Sequence, residues 1–252
     1  DPLIYANPMV QNVYEMGSIM KPLTVAAGLD AGVITPQSTY NDKGSMTLDG
    51  KTFSNYDGKA RGVVPMQEVL SQSLNTGVAH IVGKLGNDRF ADYMRSFGLG
   101  EETGIDLPGE LPGLIKNLES TRDIEYATAS FGQGIAPTPI EMVRALSALG
   151  NGGVLVTPHV VKEVRYKVGI TKKVSYESDA RVLKRETSEE ISRMLVNVVD
   201  SALLGGKIKM EHYTLAAKTG TAQISMEKGG GYYDDRYLHS FFGYFPAYQP
   251  KF

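Results

Sequence analysis

Ser18 and Lys21 stand three residues apart at the head of a mostly apolar stretch, GSIMKPLTVAAGLDAG at 17–32. On a helix that spacing puts both side chains on one face, so a hydroxyl and an amine can meet. A serine hydroxyl is a poor nucleophile until a neighbouring base takes its proton. Lysine serves as that base when burial or a second cation destabilises its ammonium form. A second candidate group is Ser73-Leu74-Asn75, in the break between two helical patterns, where the polar side chains could relay a proton and hold a ligand amide. A third is Lys218-Thr219-Gly220-Thr221, which follows the apolar run YTLAA at the end of an expected strand. Gly220 would let another backbone approach closely, and a ligand lying alongside could add as an extra strand. Each group has a plainer alternative. Ser18 could cap a helix with Lys21 in water, Ser73 and Asn75 suit caps and turns, and Lys218 could be a solvated strand-end lysine. Another Ser-x-x-Lys pair, Ser225 and Lys228, lies in turn-like sequence before glycines and is set aside.

The elements that must position these residues follow from periodicity and punctuation. Pro22 is accommodated easily only in a first helical turn, which pins Ser18 within a residue or two of a helix N-terminus. That helix should end near Gly28 or Gly32. Residues 35–62 are rich in Thr, Ser, Asn, Asp and Gly and predict turns and short strands such as SMTL. A short helix to about Gln72, a break at SLN, a helix from Asn75 to Leu85 and another over 87–97 follow, then loop to about residue 114. TPIE at 138–141 has the cap, proline and glutamate of a capping box, opening a helix that stops at Gly150. Thr187 with Glu190 predicts a second capping box at the head of ISRMLVNVVDSALL. VLVTPHVVKEVRY reads as strand material, and the chain closes with strands YTLAAKTG and LHSFFGYFP around a GGGYYDD turn.

Bulk composition narrows the function classes. With 42% hydrophobic and 21% charged residues over 252 positions, the chain is globular and long enough for a large core. A formal charge of −2 and the lack of a Lys/Arg block argue against nucleic acid as a partner. Zero cysteines remove thiol nucleophiles, disulfides and thiolate metal sites. The four histidines, His80, His159, His212 and His239, lack ligand spacing, and no cofactor or metal is implied. Asp234 and Asp235 are adjacent in turn-like sequence, and Gly229–Gly231 lacks the GK[ST] of a phosphate loop. No apolar run of 18 or more residues spans a bilayer. Both ends read as mid-protein sequence, so a leader or anchor before residue 1 and a further portion after residue 252 are expected.

The three groups stand in a fixed order, 55 residues from Ser18 to Ser73 and 145 from there to Lys218. In that order and separation, SIMK, SLN and KTGT resemble the transpeptidase domain of a class B penicillin-binding protein, in the serine penicillin-recognising family. The stretches ATASFGQGIAPTPIEMVRALSALGNGG, YTLAAKTGTAQ and YLHSFFGYFP agree, so the likeness covers essentially the whole chain. Met16 stands where proline is usual, and Ile19–Met20 replace a small or β-branched residue followed by phenylalanine.

The resemblance implies an α/β (α+β) fold like the serine β-lactamases and transpeptidases. An antiparallel central sheet would be flanked by helices, with a helical lobe over about 60–150 and the active site between them. Residues 1–252 would be one domain lacking its N-terminal strand or strands and its C-terminal strands and helix. It also implies roles: Ser18 as acylated nucleophile, Lys21 as its base, Ser73 in protonation of the leaving amine, and Asn75 on the donor backbone. Lys218 would supply positive charge, Thr219 and Thr221 would bind the terminal carboxylate, and Gly220 would admit the ligand strand. Backbone amides of Ser18 and Thr221 would form the oxyanion hole. The implied partners are D-alanyl-D-alanine stem peptides and acceptor amines, β-lactams, a membrane glycosyltransferase and divisome or elongasome proteins. The implied place is the extracytoplasmic face of a bacterial membrane, reached through an N-terminal anchor. Within the same fold a D,D-carboxypeptidase, a β-lactam sensor or a noncatalytic peptide-binding module remain alternatives. A class A β-lactamase would need a Glu-x-x-Leu-Asn between the second and third groups, which the sequence lacks.

Overall fold

A computed structural model of the protein describes residues 5–176, 178–226 and 230–251. Lys228 of the second Ser-x-x-Lys pair and Gly229 of the glycine run lie outside the described residues. Helix α1 (Pro8–Gln11), capped by the Asn7 side chain, leads to a tight 3-10 turn over Gly17–Met20 and then to α2 (Lys21–Asp30). The helix expected at Ser18 thus begins with a narrower turn, and Pro22 occupies the second position of α2, where its missing N–H leaves no bond unmade. Two antiparallel pairs follow: β1 (Thr39–Asp42), β2 (Ser45–Leu48), β3 (Lys51–Ser54) and β4 (Gly62–Pro65), with β1 on β4 and β2 on β3.

Helices α3 (Met66–Ser71) and α4 (Asn75–Leu85) are separated by the expected break, and α5 (Asn87–Ser96) ends just before Gly98. After α6 (Asp123–Ala129) comes α7 (Pro139–Gly150), opened by the Thr138–Glu141 capping box that TPIE predicts. The run VLVTPHVVKEVRY forms two short strands, β5 (Val154–Val156) and β6 (Glu163–Arg165). With β7 (Thr171–Lys173) and β8 (Ser178–Arg181) they pair as β5–β8 and β6–β7.

Helix α8 (Arg185–Asn197) departs from expectation. Thr187 lies inside its first turn, and the N-cap position is Lys184, which makes no side-chain cap bond. A carboxylate from elsewhere replaces the cap: Asp30 Oδ1, at the end of α2, accepts from Lys184 N–H at 2.7 Å and Thr187 Oγ1 at 2.9 Å. Glu190 pairs instead with Arg193 at 2.6 Å. The helix expected to continue to residue 204 changes at Val198 to a π turn over Val198–Ala202.

The last pair, β9 (Ala216–Ser225) and β10 (Tyr232–Tyr244), is antiparallel. Both strands outrun the sequence expectation. Lys218-Thr219-Gly220-Thr221 falls in the middle of β9, and the YYDD expected as a turn is strand, Asp234 and Asp235 included. Alternating burial from Tyr237 to Tyr244 fits a strand with one wetter face.

From Lys21 to Gly28 every residue of α2 is buried, with α4, α7 and α8 packed around it. A helix covered on all sides belongs at the centre of a fold, and its apolar neighbours carry Lys21 inward. Among the described residues no helix is long and apolar enough to cross a membrane.

Candidate active site

Gly17 sets the turn that presents Ser18. Its φ of +61° is a left-handed conformation that L side chains rarely adopt, and a Cβ there would lie 2.8 Å from the Thr221 carbonyl oxygen. The Gly17 N–H donates to the Gly132 carbonyl at 3.2 Å, so the turn is held between β9 and the loop after α6. Met16, Ile19 and Met20, where the sequence departs from the pattern it resembles, all enter the core.

One turn on, Lys21 is 1% exposed. Its Nζ donates to the Ser73 carbonyl at 2.6 Å and to Ser73 Oγ at 3.0 Å. This contact joins the first sequence group to the second. Ser73 has φ +56°, an unusual backbone for a serine that costs about 1–2 kcal/mol and turns its hydroxyl and carbonyl toward Lys21.

Asn75 does not cap α4. Its Nδ2 donates to the Ser54 carbonyl at the end of β3, at 2.8 Å. The start of α4 is held from below by Asp42, 1% exposed, which accepts from Thr76 Oγ1 at 2.7 Å and also from Asn55, Gly44 and Arg61. Burial alone would raise the Asp42 carboxyl, but these hydrogen bonds outweigh it and leave it below the usual carboxylate range.

On β9 the alternation of a strand leaves Thr219 and Thr221 exposed while Lys218, Gly220 and Ala222 are buried. Gly220 meets the Gly17 turn: a Cβ there would collide with Ser240 Oγ and sit 3.0 Å from the Met16 carbonyl oxygen. The close approach expected at this glycine is therefore made by the protein's own backbone. His239, set aside on sequence grounds, lies across the pair from Thr221, with Nδ1 3.3 Å from Thr221 Oγ1.

All eight candidate residues, Ser18, Lys21, Ser73, Asn75, Lys218, Thr219, Gly220 and Thr221, line one cavity of 360 Å³. Tyr56, Phe131 and Gln133 also line it. Phe131 and Gln133 belong to the SFGQG stretch that carried part of the resemblance, whereas Tyr56 sits in turn-rich sequence with no signal of its own.

The two lysines dominate the electrostatics. Lys21 is pushed well below the ordinary lysine range, first by burial and then by the positive charge of Lys218. Burial lowers Lys218 to about 8, and its Nζ donates to the Thr219 carbonyl at 3.0 Å. The arrangement can therefore hold a neutral amine within hydrogen-bond reach of a serine hydroxyl while a second cation stands in the same cavity.

The model of the penicillin binding protein transpeptidase domain matches residues 4–252. Stage V sporulation protein D of Bacillus subtilis is 35% identical over all of this chain, which spans 39% of that protein. Penicillin-binding protein PbpB of Mycobacterium tuberculosis is 31% identical over 98% of the chain, which spans 37% of it. The chain thus spans about two fifths of the length of these relatives. Among solved structures, apo penicillin binding protein 3 of Mycobacterium tuberculosis superposes with a TM-score of 0.89 at 30% identity, over 97% of this chain and 56% of that one. The same protein has been solved with aztreonam and with ampicillin, and matches as well.

Proposed function

The chain belongs to the class B penicillin-binding protein transpeptidase family, and from that premise we propose that it is a serine D,D-transpeptidase domain that cross-links peptidoglycan stem peptides and is acylated by β-lactams. The observation that carries this reading is the buried Lys21, hydrogen-bonded to Ser73 in the cavity that also holds Ser18 and Lys218. A lysine placed so is inclined to be a neutral base, which is what a serine nucleophile needs.

In this mechanism Ser18 Oγ attacks the carbonyl between the two terminal D-alanines as its proton passes to Lys21. Backbone amides at Ser18 and Thr221 receive the developing oxyanion; rigid donors of this kind act without reorganising. Ser73 relays the proton from Lys21 to the leaving amine, and D-alanine departs. An amine of a second stem peptide then attacks the Ser18 ester. The C–N bond forms, Ser18 Oγ leaves, and the proton lost by the amine returns to that oxygen. Asn75 holds the donor backbone, Gly220 keeps β9 close to the nucleophile's turn, and Lys218, Thr219 and Thr221 receive the terminal carboxylate. A β-lactam enters by the same attack and stays, because its leaving group remains tethered. The whole protein would work at the outer face of a bacterial membrane, anchored by an N-terminal segment, beside a glycosyltransferase of the division or elongation machinery.

The test is labelling of the full-length protein with fluorescent penicillin, followed by mass mapping of the adduct. One adduct on Ser18, absent from Ser18→Ala, is the expected result. No labelling of the intact protein, or an adduct on another residue, overturns the reading and favours a noncatalytic peptide-binding module.

A further inference from the structure

Among the described residues, β6 and β7 pair only with each other. Glu163 lies opposite Lys173, Val164 opposite Lys172 and Arg165 opposite Thr171. Beyond that register Tyr166 N–H donates to the Ile170 carbonyl at 2.8 Å, and Gly169 N–H closes the turn on the Tyr166 carbonyl at 3.0 Å. Side chains two apart on a strand share a face. One face of the hairpin therefore carries Val164, Tyr166, Ile170 and Lys172. The other carries Glu163, ion-paired with Arg165 at 2.5 Å, together with Thr171 and Lys173. The hairpin is amphipathic, yet every residue from Val164 to Lys173 is exposed. Amphipathic strands ordinarily turn the apolar face to a core, and a lone two-stranded hairpin is marginal in water. Here that face is left to solvent: Tyr166 is 50% exposed, Ile170 63%, and Val168 in the turn 79%.

A clamp at the base holds the hairpin out. Asp106 accepts from the Val160 and Val161 N–H groups, each at 2.8 Å, and Tyr176 OH lies 2.8 Å from the same carboxylate. The His159 ring stacks on Tyr176 with centroids 3.9 Å apart. Positive charge is concentrated on the same segment. Five basic residues and one acid give 162–173 a net charge of +4, against −2 for the whole chain. We propose that this hairpin docks on an anionic lipid surface. Tyr166, Val168 and Ile170 enter the boundary between headgroups and acyl chains, while Lys162, Lys167 and Lys172 meet lipid phosphates. Contiguous exposed apolar side chains mark an interaction surface. An anionic polymer would satisfy the lysines and leave the valine and isoleucine in water, whereas a bilayer takes both kinds of group at once. A tyrosine beside the apolar tip suits that interface, with its ring dry and its hydroxyl wet. The contact would orient the domain on the membrane, and it does not depend on the chemistry in the active-site cavity.

The experiment is sedimentation of the 252-residue chain with vesicles of equal parts phosphatidylglycerol and phosphatidylcholine, and with vesicles of phosphatidylcholine alone. Binding to the anionic vesicles is expected to be at least about tenfold tighter, with the preference fading as salt is raised. Val168→Ser combined with Ile170→Ser should weaken it about tenfold through lost apolar burial. Lys167→Gln combined with Lys172→Gln should weaken it about twentyfold. All four positions are exposed, so the melting temperature should not move. Because the chain has no cysteine, Val168→Cys takes a polarity-sensitive dye at one place, whose emission should shift to the blue on anionic vesicles. The same dye at position 168 of the full-length protein, in nanodiscs of the two lipid compositions, reads the contact in the intact molecule. A blue shift in the anionic discs alone is expected there. Equal binding to both vesicle types, or none, overturns the proposal and turns the hairpin toward an acidic groove on a protein partner. So does binding that falls in the lysine variant but not in the serine variant, which would mark surface charge without insertion. Binding unchanged in both variants places the contact elsewhere and overturns it too. Penicillin acylation should be the same in every variant, so this proposal and the transpeptidase reading fail separately.

Discussion

At Lys21 and Lys218 the same physical cause produces two different chemical states. Lys21, wholly enclosed and facing a second cation, sits far below the ordinary range, whereas Lys218 is lowered to about 8. The proposed mechanism needs Lys21 neutral and Lys218 charged, and the deeper burial of Lys21 beside a second cation favours that order of proton loss. The second-order rate of acylation by penicillin should therefore rise with pH as Lys21 sheds its proton. It should fall again as Lys218 loses its charge through about 8. In Lys218→Arg the guanidinium stays charged throughout, so the alkaline fall should vanish even if the rate is lower at every pH. An alkaline limb that survives in Lys218→Arg would show that another group titrates there. These side chains were legible in the sequence because their types and spacing are rare in combination. Tyr56, which also lines the cavity, was not, since a lone tyrosine in a turn carries no pattern until the fold sets neighbours against it.

Helix starts show how far local rules reach. The Thr138–Glu141 box forms as TPIE predicts, with Thr138 N–H donating to Glu141 Oε2 at 2.6 Å. Yet Glu141, fully buried, also accepts from Gly100 N–H at 2.8 Å and Gly113 N–H at 3.0 Å, stitching the loop of residues 98–114 to α7. Thr138→Ala should thus cost about 1 kcal/mol as a lost cap. Glu141→Ala, which strips three backbone donors of their acceptor, should cost about 3 kcal/mol or more. Urea unfolding of the two variants checks the ranking, and equal losses would mean that the loop bonds contribute nothing. The same local rule failed at Thr187, where the sequence motif is equally good. Asp30, 157 residues earlier, supplies the acceptor there, and no pattern within the helix could announce it. Strand ends were misjudged for a related reason: β9 runs on to Ser225 because β10 pairs with it, and pairing is a property of two distant segments.

The whole molecule spends stability on its cavity. Segments near residues 18, 73 and 218 meet only because α2 is buried among α4, α7 and α8 and β9 lies against the Gly17 turn. That meeting draws two amines out of water. Lys218, 3% exposed, has no carboxylate within salt-bridge distance among the described residues to offset the cost. Its shift from 10.5 to about 8 corresponds to about 3 kcal/mol of lost stability. The sign follows from proton binding. Between about 8 and 10.5 the unfolded chain binds more protons than the folded one, so this group's penalty is full below about 8 and fades as pH rises to 10.5. Lys218→Met removes the penalty and forfeits one hydrogen bond to the Thr219 carbonyl. It should stabilise the protein by about 2 kcal/mol at pH 7 while abolishing penicillin labelling, with the gain shrinking to zero at about pH 10, where the fading penalty equals the lost hydrogen bond. Urea unfolding at pH 7 and pH 10 measures both quantities. A variant less stable than the parent at pH 7 would mean that the lysine is held by compensating contacts, and that its charge is not a strain the fold carries for chemistry.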